Sequence, residues 1–295
     1  MPTARANDIE IYYEEHGEGE PLLLIMGWGG NAASWQPQLP GLAERFRVIA
    51  FDNRGVARTS APDGPYSVRQ LASDAAALLD ALGIERAHVM GISMGGMIAQ
   101  ELALAEPERV DALVLGCTSP GGKRSAGQRR LKGDIASFHQ TADEGGVNMH
   151  WFVEFMKLLW TDEALAKADS HMQDFVLSLI RFPPTLHGLQ HQAGAVAAHD
   201  TYERLSHIRQ PTLVMTGAED PLIDPDNSEI LAKRIPRAEL RMYEGLKHAF
   251  HLERPDLINP DVIEFLSEAG RSNGVVHRAS RPKAKRRKAK KAEPA

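Results

Sequence analysis

The sequence has a single cysteine, Cys117, which excludes an intrachain disulfide and a thiolate-built metal cluster. A reducing cytoplasm is the compartment that suits this usage. No apolar run approaches the roughly 20 residues that cross a bilayer. Stretches such as Leu22-Leu23-Leu24-Ile25-Met26 are of strand length, so no membrane span is expected. The opening residues, Met1-Pro2-Thr3-Ala4-Arg5-Ala6-Asn7-Asp8, turn polar where a secretory signal needs an apolar stretch, and export by that route is not expected. What is present is a chain of 295 residues with 43% apolar side chains, enough for one large core or a core carrying a smaller inserted domain.

The net charge of -5 conceals two different objects. From Arg271 onward ten Lys or Arg stand against Glu293 alone, which leaves 24 of the 34 basic and 38 of the 39 acidic residues before that point, a balance of -14. The segment 270–295 is poor in apolar residues, cannot bury enough surface to offset the entropy of ordering, and is expected to be a disordered basic tail. Ten cations could attract nucleic acid or an anionic membrane surface. No aromatic residues interleave them to stack on bases, so a solvated extension is the preferred reading.

Along the chain, Ile9 to Tyr13 alternates as a half-exposed strand, whereas Leu22 to Met26 and Arg47 to Phe51 are short apolar runs suited to buried strands. A short helix is expected over Leu39 to Phe46 and a longer one over Ser67 to Leu82, with Ser67 as N-cap and Gly83 as its stop. Then come a strand at Ala87 to Ile92, a helix over Gly95 to Ala105 and a strand at Ala112 to Leu115. The alternation stops there, and from Pro120 to about Gln210 the periodicity is helical. Strands resume at Thr212 to Met215 and Glu239 to Met242, around a helix at Ser228 to Arg234, and a last helix covers about Pro260 to Glu268. This pattern predicts an α/β fold, a mostly parallel sheet flanked by helices, with a core of residues 1–119 and 211–269 and an inserted helical cap of 120–210.

Ser93 lies in Gly91-Ile92-Ser93-Met94-Gly95, between the strand and the helix. The motif is weak alone, but a strand, a sharp turn and a helix are what it requires to lift a serine hydroxyl clear of a sheet. Serine is a poor nucleophile without a base, and the base needs an orienting acid. In open α/β sheets active groups lie beyond the carboxyl ends of the strands. No carboxylate follows directly at Gly116-Cys117-Thr118-Ser119, whereas Asp220 follows Thr212 to Met215, with Glu219, Asp224 and Asp226 as rivals. After the last strand His248 is the candidate base and His251 its neighbour. The oxyanion of an attacked carbonyl needs N–H donors, assigned to Met94, next to the serine, and Trp28, in the loop Met26-Gly27-Trp28-Gly29-Gly30.

With Gly27-Trp28-Gly29-Gly30, Asp52-Asn53-Arg54-Gly55, the Ser93 motif, Gly217-Ala218-Glu219-Asp220-Pro221, and His248 followed by Glu253-Arg254-Pro255, the sequence resembles the α/β-hydrolase superfamily over nearly all of residues 8–269. It is similar to capped bacterial 3-oxoadipate enol-lactonases, aclacinomycin-type methylesterases and cofactor-free haloperoxidases or perhydrolases. The resemblance implies a serine hydrolase without metal or cofactor, working through the triad Ser93, Asp220 and His248 on a small-molecule ester or lactone. Serine at position 93 disfavours the alkyl-enzyme chemistry of relatives with an aspartate nucleophile. Two residues depart from the usual pattern: Met26 where most relatives have histidine, and Ala57 where glycine is common. The apolar cap implies a mainly hydrophobic substrate group. Carbon–carbon bond hydrolysis or perhydrolysis by the same triad is the nearest alternative, and a non-catalytic binding protein on this scaffold is a more distant one.

Overall fold

The computed structural model describes residues 2–127 and 149–272. Eight strands, β1 (Thr3–Ala6), β2 (Ile9–His16), β3 (Glu20–Ile25), β4 (Phe46–Phe51), β5 (Ala87–Ile92), β6 (Val110–Gly116), β7 (Thr212–Gly217) and β8 (Ala238–Tyr243), form one sheet in the order β1-β2-β4-β3-β5-β6-β7-β8. All pairings from β4 to β8 are parallel, and β1 and β2 close one edge antiparallel. Among the described residues the helices are α1 (Leu39–Leu42), α2 (Val68–Ala81), α3 (Met94–Ala105), α4 (Met149–Leu159), α5 (Asp162–Lys167), α6 (Ser170–Arg181), α7 (Leu186–Ala198), α8 (Asp226–Arg234), α9 (Phe250–Glu253) and α10 (Pro255–Ser272). None is long and apolar enough to cross a membrane.

The central strands are apolar throughout because both sheet faces are covered, and their alternation divides them between two cores. Leu23, Ile25, Val89, Leu113 and Val214 join Leu71 and Leu78 of α2 and Met97 and Leu102 of α3 on one face. Leu22, Leu24, Met90, Val114 and Leu213 join Leu42 of α1 and Ile258, Val262 and Leu266 of α10 on the other. Each fully buried side chain of this kind contributes about 1.5–3 kcal/mol over its exposed state. This is the α/β-hydrolase architecture.

Local signals set most element ends. The Ser67 hydroxyl accepts from Gln70 N–H at the start of α2, and Gly83 takes φ +65° just beyond its end. The early helix is only one turn, Leu39–Leu42, because the chain turns into β4 at Phe46. The last helix begins five residues earlier than the expected Pro260, at Pro255, a position where proline's missing N–H costs nothing. It also runs on through Gly270 to Ser272, while the remainder of the basic tail lies outside the described residues.

Between β6 and β7 the described residues 149–198 are mainly helical, with Thr161, Asp169 and Thr185 capping α5, α6 and α7. The two ends of this insertion are clasped together. Gly121 bridges Asp200, Gly122 N–H donates to the His199 carbonyl at 2.9 Å, and Thr201 N–H to the Pro120 carbonyl at 2.8 Å. The helices then lie on the loops at the strand ends. Met156, Leu159, Trp160 and Ala164 pack on Ala249 and Leu252. The Arg58 guanidinium sits between the rings of Tyr12, at 3.5 Å, and of Phe182, at 4.0 Å, which ties the end of α6 to β2.

Candidate active site

The turn from β5 to α3 carries Ser93 at φ 56° and ψ -120°. A non-glycine residue there costs on the order of 1–3 kcal/mol, a strain that the surrounding hydrogen bonds hold in place. Ser93 N–H donates to the Gly116 carbonyl at 2.9 Å, and the Thr118 hydroxyl donates to the Ser93 carbonyl at 2.7 Å. Glycine is required on both sides. A Cβ on Gly91 would meet the Gly95 carbonyl oxygen at 2.2 Å, and one on Gly95 would meet the Ile25 oxygen at 1.9 Å. Met94 N–H, the first of α3, lies in the helix turn that has no intrahelical acceptors.

Asp220 and His248 meet beyond the ends of β7 and β8. His248 Nδ1 lies 2.7 Å from Asp220 Oδ2, and both residues are buried. The other carboxylate oxygen, Oδ1, accepts N–H bonds from Leu222 at 2.8 Å and Ile223 at 3.0 Å, which fixes the plane of the carboxylate. Of the rival acids, Glu219 and Asp226 are exposed, and Asp224 Oδ1 accepts from Asp226 N–H in a local turn. Burial opposes charging of His248, but the Asp220 carboxylate, with Cys117 acting in the same direction, outweighs it and raises the ring's pKa well above the usual histidine value.

Cys117, at the end of β6, was not among the expected site residues. Its sulfur lies within 4.8 Å of a His248 ring nitrogen, and burial pushes the thiol's pKa up, which favours the neutral thiol. Cys117, Asp220 and His248 are the one group of three potential metal ligands among the described residues, their donor atoms within 4.8 Å of one another. The Asp220 and His248 atoms already serve each other.

Ser93, His248, Trp28 and Met94 all line one cavity of about 240 Å³. Apart from Glu154 and His251, its walls are otherwise apolar, with Met26, Met97 and Leu222 from the core and Phe155, Leu159 and Phe175 from the helical insertion. Trp28 is tied to the insertion, since its Nε1–H donates to the Leu189 carbonyl at 2.9 Å. Gly29 N–H donates to Gln192 Oε1 at 3.1 Å, and Gln192 Nε2 donates to the Arg54 carbonyl at 3.0 Å. With Met26 in place of histidine, the loop is braced from another direction, by Asn53 Nδ2 donating to the Met26 carbonyl at 2.9 Å. Asn53 stands in the noted Asp52-Asn53-Arg54-Gly55 segment, whereas nothing in the helical pattern of α7 marks Gln192. Asp52 holds the same region, accepting Ala32 N–H at 2.7 Å and Arg58 Nε–H at 2.7 Å. Ala57 adopts φ 51°, a left-handed conformation that costs an L-residue about 1–2 kcal/mol.

Two further buried histidines act on stability. Burial, with His248 nearby, lowers the pKa of His251 to about 3. Burial also lowers that of His199 to about 4, despite Glu101. Below the unfolded value near 6.5 the unfolded chain takes up protons that the native state refuses. The stability they contribute above pH 6.5 is therefore lost as pH falls toward 4 and 3, at about 1.4 kcal/mol per pH unit for each histidine. His248 acts oppositely: its contribution is complete below pH 6.5 and is lost as pH rises through its raised folded value. Urea unfolding at pH 6.5, 5.5 and 4.5 should show a steep acid loss that His199→Gln and His251→Gln together flatten. An unchanged slope in the double variant would contradict the assignment.

The match to the α/β-hydrolase fold model over residues 20–255 completes the case, and the chain belongs to this hydrolase family. It is 34% identical over 272 residues to “Putative carbamate hydrolase RutD” of Azorhizobium caulinodans, covering 91% of this chain and 99% of that protein. Among solved structures it is similar to a hydrolase from Pseudomonas aeruginosa, at 30% identity and a TM-score of 0.79, covering 89% of this chain and 96% of that one. The enol-lactonase of Burkholderia xenovorans is similar at 26% identity and a TM-score of 0.79, covering 90% and 100%.

Proposed function

We propose that the protein is a serine hydrolase of neutral carboxylic esters or lactones of small to medium size, acting through an acyl-enzyme on Ser93. The observation that carries this reading is the Asp220–His248 pair at 2.7 Å beside a cavity that Ser93 also lines. In it, His248 takes the Ser93 proton as the hydroxyl attacks the carbonyl, then returns a proton to the leaving group. Asp220 holds the ring in the required tautomer. The Trp28 and Met94 N–H groups hold the oxyanion. Residues 120–210, of which 128–148 lie outside the described residues, act as the cap that excludes water, and the Cys117 thiol stays a spectator.

Neutrality of the substrate follows from the lining. Among the described residues it includes no Lys or Arg, and its one carboxylate is Glu154, so an anionic substrate would be desolvated without a partner. The relatives named as carbamate hydrolases support a second reading. Attack on a carbamate carbonyl would use the same groups, and the lining favours an uncharged carbamate over a carbamate anion.

The reading is tested by labelling with a fluorophosphonate, expected at Ser93, and by a panel of p-nitrophenyl esters, lactones and neutral carbamates. Dienone cleavage and peroxide-dependent halogenation serve as competing assays. Within the panel, a butyrate ester should exceed the matching succinate half-ester by at least roughly tenfold in kcat/KM, the equivalent of about 1.4 kcal/mol. Equal rates for the two would refute the neutral-substrate reading, and a folded protein that fails to label would refute the hydrolase mechanism.

A further inference from the structure

Apart from the exposed Glu154, the cavity contains one polar side chain that the proposed chemistry does not use. His251 is 3% exposed, lines the same cavity as Ser93 and His248, and has no hydrogen-bond partner on either ring nitrogen. Its ring is held from behind, with its centroid 5.8 Å from that of Trp35 and 5.5 Å from that of Phe250. Gln38 Nε2 donates to its main-chain carbonyl. The polar surroundings extend into the wall, because Trp35 Nε1 and Gln38 Oε1 are buried without partners as well.

A buried donor or acceptor left unpaired costs about 1–3 kcal/mol. Packing alone would favour an aromatic or aliphatic residue at 251. In a cavity with otherwise apolar walls, a few placed polar groups orient a ligand. We infer that His251 is a recognition subsite for a neutral hydrogen-bonding group of the substrate, a hydroxyl or secondary amide set apart from the scissile carbonyl. Burial and the neighbouring His248 keep the ring uncharged. A neutral imidazole has one N–H donor and one bare nitrogen acceptor. Hydroxyls and secondary amides both donate and accept, so they can meet whichever nitrogen faces the cavity. A carboxylate would require a cationic ring, which this site disfavours. His251 would therefore be a specificity-determining residue, and the substrates would be esters or lactones with an uncharged polar substituent on a short apolar body.

This inference rests on the ester or lactone reading, and its test separates the two. Pairs of p-nitrophenyl esters of equal length, one with a hydroxyl or acetamido group along the acyl chain and one with a methyl in its place, are compared by kcat/KM. Wild type should favour the polar member by roughly tenfold to a hundredfold at one chain position. His251→Phe and His251→Leu should abolish that preference while still hydrolysing the plain butyrate ester, and His251→Gln should retain part of it. Equal polar-to-methyl ratios in wild type and the two apolar variants would overturn the subsite. Unreactive ketone analogues of the same pairs, titrated calorimetrically into wild type, give a second measurement that needs neither turnover nor a folded variant. A polar ketone that binds no more tightly than its methyl counterpart overturns the inference, even if ester turnover is absent and the hydrolase reading has failed separately.

Discussion

Ser93→Ala is expected to lower ester turnover on the order of 10⁶-fold, the scale on which removal of a serine nucleophile acts when the rest of its machinery remains. The loss should fall on kcat and leave KM for the plain butyrate ester within a few-fold, because the apolar walls that hold the acyl group are untouched. Stability should not fall. Ser93 is held at φ 56° by its main chain, its N–H on the Gly116 carbonyl and its carbonyl under the Thr118 hydroxyl, and alanine keeps both bonds. Steady-state kinetics on the purified variant, with thermal unfolding alongside, provide the check. A variant with wild-type turnover would remove Ser93 from the reaction altogether.

Asp220→Asn should cost on the order of 10⁴-fold in turnover, the loss seen when the acid of a serine triad becomes an amide. Asparagine can keep the carbonyl oxygen that Leu222 and Ile223 N–H groups hold, so the loop should stay folded. Its amide would then direct N–H toward His248 Nδ1, which stabilises the wrong tautomer. The same change removes the carboxylate that raises the His248 pKa. The base works only when neutral, so the acid limb of kcat/KM should move to lower pH in the variant, below its wild-type position. A limb that stays where it was would show that another group titrates there.

Much of the fold was legible from residue pattern, for physical reasons that also mark where legibility ends. Leu22 to Ile25 reads as a buried strand because every side chain on it is apolar, which occurs only where both sheet faces are covered. Thr3–Ala6, by contrast, is a short edge strand with polar and small side chains, held largely by main-chain pairing with Ile9–Tyr12, and it carried no signal to recognise. Ser93, Asp220 and His248 stood out because strand ends are where such groups can act, so the position of each along the chain carried information. The second ring of residues left no such trace. Gln192 reaches Gly29 across 163 positions, and Asn53 reaches Met26 across 27. A helix's apolar stripe shows which face is buried, but not which carbonyl or amide one polar side chain will meet. His251 was noticed only as a neighbour of His248, since an empty hydrogen-bonding valence exists in three dimensions alone.

The ties from α7 to the loop Gly27-Trp28-Gly29-Gly30 affect how such enzymes can diverge. Leu189 and Gln192 grip the segment that holds one of the two proposed oxyanion donors. On the proposed mechanism, the region that would select the substrate and the region that would lower the barrier thus share a mechanical linkage. Transplanting the helices of a relative onto this core would change the rate on every substrate at once, unless residues 189 and 192 travelled with matching loop partners. On that mechanism, specificity and catalytic power would be inherited together.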